Sequence, residues 1–94
     1  MSSEATARYL AFVGANVRRL RTARGLSQAL LAEVLEMDLR FLQRIEGGQL
    51  NIRFETLIRL SECLGVTPGV LLRQVRIPER RRGRPRKRVP QKKG

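Results

Sequence analysis

Residues 27–46 read SQALLAEVLEMDLRFLQRIE, and the spacing of apolar positions within them decides the fold. Leu31 and Leu35 stand four apart on one face of a helix that begins at Gln28, with Ser27 as its N-cap. Asp38 precedes a second helix, Leu39 to Glu46, whose Leu42 and Ile45 point inward. A carboxylate at that cap suits the positive end of a helix. Only about three residues separate Gln28–Leu35 from Leu39–Glu46. Helices joined that tightly, with facing apolar residues, hold the second one out as an exposed rod that suits the major groove of DNA. Short helix pairs are common, and geometry alone fits an αα-corner with no ligand better than a DNA reader.

The flanking sequence continues the helical period and carries no strand-like alternation. Upstream, Leu10, Val13, Val17 and Leu20 recur at helical steps, and Gly25 follows Arg24 as a helix stop, predicting a first helix from about Arg8 to Arg24. Downstream, Gly47-Gly48 ends the third helix. Asn51 is expected to cap a fourth, with Phe54, Leu57, Leu60 and Leu64 on its apolar face and Gly65 at its end. Thr67-Pro68 opens a short fifth helix bearing Val70, Leu71 and Val75. The reading is all-α: a five-helix domain over residues 8–75 and a basic tail over 76–94, too rich in Arg, Lys, Pro and Gly to bury a core.

Charge divides the chain the same way. The net +12 of its 94 residues splits into +9 for residues 76–94 (ten Lys/Arg, one acid) and +3 for residues 1–75 (ten Arg, seven acids). The tail is a polyanion-seeking arm on an ordinary globular body. A single cysteine, Cys63, excludes an internal disulfide and a Cys-rich zinc site, and is expected to fill the core. The absence of histidine removes the commonest general base and metal ligand. No nucleophile–base pair or phosphate loop stands out, so the expectation is a non-enzyme without cofactor, metal or small-molecule substrate. No apolar run approaches a membrane span and no leader is apparent, so the expected place is cytoplasmic and nucleoid-associated.

Val17-Arg18-Arg19-Leu20-Arg21, Arg24-Gly25-Leu26-Ser27-Gln28, Leu31-Ala32, Leu42, Arg44-Ile45-Glu46, Gly48, Thr56-Leu57 and Leu64-Gly65-Val66 form one ungapped pattern. From Val17 to Leu72 that pattern resembles the Cro/repressor-type helix-turn-helix family, also called the xenobiotic-response-element family. Three positions depart from it: Glu36 where the family often has Gly, Ile52 for a frequent Pro and Arg53 for a frequent Ser. The resemblance implies that Gln28 binds a backbone phosphate, where helix-terminal N–H groups also converge. It implies that Leu39, Arg40, Gln43 and Arg44 read bases. Arg suits guanine, Gln adenine and Leu a thymine methyl. Gly48, Gln49, Asn51 and Arg53 then follow the phosphate backbone and position without specifying. Arg21 and Glu46 occupy positions that pair as a partly buried salt bridge orienting the recognition helix.

In the tail, Arg82-Gly83-Arg84-Pro85 with Arg86 beyond it resembles an AT-hook, an extended basic ribbon suited to the narrow minor groove of A·T-rich DNA. A non-specific cationic arm is the plainer alternative. Together these resemblances imply a sequence-specific regulator that binds double-stranded DNA as a homodimer, paired through the apolar residues near the end of helix five. The alternatives are a restriction-modification controller, a nucleoid-architectural factor, or an antitoxin-like module that binds protein. Arg40 and Arg44 on the outer face of helix three argue against the last.

Overall fold

A computed structural model describes residues 3–77 as five α-helices, with no strand among them. They are α1 (Glu4–Ala23), α2 (Gln28–Val34), α3 (Leu39–Glu46), α4 (Phe54–Leu64) and α5 (Pro68–Leu71). α1 packs against α3, α4 and α5, α2 against α3, and α4 against α5. The core between them is aliphatic. Val13, Val17 and Leu20 of α1 meet Leu31, Ala32 and Leu35, Leu42 and Ile45, Leu57, Leu60 and Leu64, and Leu71. Burying one such side chain contributes roughly 1.5–3 kcal/mol, so this cluster carries most of the domain's cohesion. Cys63 is half-buried against it, as a free thiol.

The ends of the helices explain the tightness of the fold. After α1, α3 and α4, the N–H of the αL residue returns to a carbonyl of the last turn, and the next N–H reaches one residue further back. Gly25, Gly48 and Gly65 take that αL place, with φ of 71°, 70° and 74°. Close approach reinforces the choice at Gly48, where a Cβ would stand 3.0 Å from Ala11 Cα. Gly14, inside α1, is needed for the same reason. A Cβ there would stand 2.5 Å from the carbonyl oxygen of Ile45, so α1 lies directly against the end of α3.

Several expectations change. α1 starts at Glu4 rather than Arg8, because Ser3 Oγ accepts from Thr6 N at 3.1 Å and supplies a cap outside the apolar period. Asp38 holds the N-cap position of α3 without a side-chain cap bond. Arg53, not Asn51, precedes α4, and its side chain makes no cap bond either. Phe54 was expected in the core but is 74% exposed. It is the first residue of α4, and helical Cα–Cβ bonds tilt toward the N-terminus, carrying its ring past the edge of the core. α5 is one turn that ends before Val75, and Leu71 is its fully buried residue.

Candidate nucleic-acid interface

α2 and α3 are joined through Leu35, Glu36, Met37 and Asp38. The N–H of Glu36 bonds Glu33 O at 3.0 Å and that of Met37 bonds Ala32 O at 2.8 Å, closing α2 as the glycine-ended helices are closed. Glu36 occupies the αL position at φ 55°, the only non-glycine residue with positive φ among those described. The turn keeps its geometry despite the missing glycine and carries the strain of a Cβ crowding its carbonyl. Arg59 of α4 donates to Leu35 O and supports the turn from below. Glu36→Gly should therefore raise stability by about 0.5–1 kcal/mol, the relief of αL strain less the entropy of glycine. A thermal midpoint that stays or falls would contradict the strain.

α3 has two unlike faces. Leu42 and Ile45 are 0% and 2% exposed, while Leu39, Arg40, Gln43 and Arg44 all lie on the open side. Of the eight residues in α3, these four alternate with the buried pair as a helical period requires. Phe41 is also exposed, at the same end as Leu39. Gln49, Asn51 and Arg53 are exposed in the loop that follows, and Gly48 is half-buried within it. An open helix face bearing two guanidiniums, one carboxamide and one apolar side chain matches the hydrogen-bonding and methyl groups of base edges.

One buried carboxylate sets the orientation of that face. Glu46 Oε2 accepts from Arg21 Nε at 2.6 Å, and Oε1 accepts from Arg21 Nη2 at 3.1 Å. The side chains are 4% and 13% exposed, respectively. Oε1 also accepts from Gln28 Nε2 at 2.9 Å, and Arg21 Nη1 donates to Leu26 O at 2.8 Å. The end of α1, the α1–α2 loop, the start of α2 and the end of α3 thus converge on a single charge pair. Sequence reasoning missed the part played by Gln28. Its amide donates inward to Glu46, and one of its two hydrogens is left for another acceptor. No local pattern signals this bond, since its partners lie 18 residues apart.

Arg82, Gly83, Arg84, Pro85 and Arg86 lie outside the described residues, so the AT-hook reading has no structural counterpart here. Among the described residues no helix is long and apolar enough to cross a membrane, and no His/Cys/Asp/Glu group is placed to hold a metal ion.

Comparison with known proteins agrees with this arrangement. The chain is 42% identical over 55 residues to the HTH-type transcriptional regulator RamB of Mycobacterium tuberculosis. It is 39% identical over 51 residues to the HTH-type transcriptional regulator PrpR of the same organism. These matches span 58% and 54% of the chain but only 12% and 10% of those much longer relatives. Among solved structures, it resembles the restriction-modification controller protein C.AhdI from Aeromonas hydrophila, at TM-score 0.62 and 35% identity over 66% of this chain and 94% of that one. It also resembles the hypothetical transcription factor NHTF from Neisseria, at TM-score 0.67 and 25% identity over 77% and 83% of the two chains. Residues 17–71 match the family described as Helix-turn-helix, and the chain belongs to it.

Proposed function

We propose that this protein is a non-enzymatic, sequence-specific DNA-binding transcriptional regulator that inserts α3 into the major groove. The observation that carries the reading is the division of α3, with Leu42 and Ile45 sealed in the core and Leu39, Arg40, Gln43 and Arg44 presented outward. Arg40 and Arg44 suit guanine, Gln43 adenine and Leu39 a thymine methyl. Gln28, through its remaining amide hydrogen, and Gln49, Asn51 and Arg53 in the loop contact phosphates and set the register. The basic segment with Arg82-Gly83-Arg84-Pro85-Arg86 follows the adjoining minor groove, most tightly where A·T pairs narrow it.

The protein acts as a homodimer on a two-fold site, with recognition helices about one turn, ~34 Å, apart. The apolar surface available for pairing differs from the one expected along helix five, since Leu71 is consumed by the core. A groove of about 390 Å³ between α1 and α4 offers more, lined by Tyr9, Leu10, Ile52, Phe54, Leu57 and Leu72. Tyr9 and Phe54 are 48% and 74% exposed there. The likeness to a restriction-modification controller supports a narrower reading, control of such a gene pair, which the neighbouring genes would decide.

Selection from random duplexes by the full chain tests the reading. A single enriched, two-fold symmetric sequence is expected. A pool that binds without enrichment would leave only charge attraction and remove the regulator reading.

A further inference from the structure

Asn16 and Ser61 are the most deeply buried polar residues among those described, each 1% exposed. Asn16 Nδ2 spends both hydrogens on the far end of the domain, donating to Leu71 O at 3.1 Å and Arg73 O at 3.0 Å. Its Oδ1 accepts from Arg19 Nη2 at 3.1 Å. The two carbonyls are the last residue of α5 and a residue beyond it, so the amide holds the chain where regular structure has stopped. Leu71, with half-buried Val70 beside it, provides the apolar docking of α5. The second bond, to Arg73, fixes the path of the segment that leaves it.

That path leads back toward the recognition helix. Val75, Arg76 and Ile77 line one groove of about 560 Å³ together with Ala11 and Ala15 of α1 and Gly47 at the end of α3. The contact of Gly14 with Ile45 O and of Gly48 with Ala11 places this stretch of α1 on the same end of α3. Without the clamp, a four-residue helix and an irregular strip would leave the start of the tail free to swing.

We propose that Asn16 is a positioning residue for DNA binding. It clamps residues 71–73 so that Val75, Arg76 and Ile77 are held beside α1 and the end of α3, which gives the basic residues that follow a fixed point of departure from the domain. The proposal rests on the DNA-binding reading above. Its physical content is effective concentration: an arm launched from a fixed point finds its phosphates at higher local concentration than one launched from a wandering end. Arg19 supports the clamp by fixing the orientation of the Asn16 amide, whose Oδ1 it binds.

The test uses the full chain, with Asn16 or Asn16→Ala, each with its native tail or with Arg82, Arg84 and Arg86 changed to Ala. Binding is measured on one site with A·T-rich flanks. Neutralising the tail should cost the native chain on the order of 10²-fold in affinity, and the Asn16→Ala chain at least about tenfold less. With the tail neutralised, Asn16→Ala should matter little. An equal cost of neutralisation in both backgrounds would overturn the clamp. If neutralisation costs nothing in either, the tail contributes no DNA contact, and the underlying reading of the arm fails along with the clamp. A second measurement stands even if Asn16→Ala does not fold. A spin label on Ile77→Cys, in a Cys63→Ala background, should broaden the amides of Ala11, Ala15 and Gly47. Broadening around Tyr9 and Phe54 instead would overturn the proposed exit.

Discussion

Replacing Glu46 by alanine should cost about 3–5 kcal/mol, the penalty of stranding one partner of a buried ion pair. Small domains hold only about 5–15 kcal/mol in total, so a substantial unfolded population is expected near room temperature. The cause is local and countable. Arg21, 13% exposed, would lose its two-pronged acceptor, and Gln28 Nε2 would lose its one partner. Glu46→Gln preserves shape yet removes the charge and turns an amide nitrogen toward a cluster of donors, so it should recover little. Arg21→Lys should also fail, because one ammonium cannot reproduce the fork that binds both carboxylate oxygens and Leu26 O. Urea denaturation followed by circular dichroism measures all three. A loss below about 1 kcal/mol would mean that the pair behaves as a solvated surface bridge.

Deleting residues 79–94 should remove most of the salt dependence of DNA binding while leaving helix content and site choice intact. The deleted segment carries nine of the chain's twenty Lys/Arg. Each neutralised phosphate contributes about −0.9 to the slope of log K against log salt, so the flattening should amount to several units. Flanking sequence separates the two accounts of the arm. A minor-groove ribbon loses most affinity on A·T-rich flanks, where the groove is narrow and its potential strongest. A plain polycation loses the same on G·C-rich flanks. Four titrations decide it: full and shortened chains on both flanks. Equal losses would leave a non-specific electrostatic arm.

Much of this arrangement was legible in the sequence because it is local. The division of α3 follows from Leu42 and Ile45 at helical spacing with Arg40, Gln43 and Arg44 between and beside them. The glycine stops at Gly25, Gly48 and Gly65 announce helix ends whose backbone needs positive φ. What was not legible depends on partners distant in sequence, or on where a helix happens to meet the edge of the core. Asn16 reads as one more polar residue in α1 until the carbonyls of Leu71 and Arg73, 55 and 57 positions on, arrive beside it. Phe54 obeys the apolar period of α4 yet is 74% exposed, because its side chain tilts toward the N-terminus and past the edge of the core. Glu36 shows the reverse case: it departs from the family's frequent glycine, yet the turn's hydrogen bonds hold the residue in the strained conformation.

The central claim is that the outer face of α3 reads base pairs. The most direct measurement is the affinity of Arg40→Ala and Arg44→Ala for the selected site and for a scrambled duplex at one salt concentration. The claim predicts a loss of about 1–3 kcal/mol on the selected site for each true base contact, with little change on scrambled DNA. Equal losses on both duplexes would contradict it and reduce these arginines to phosphate contacts.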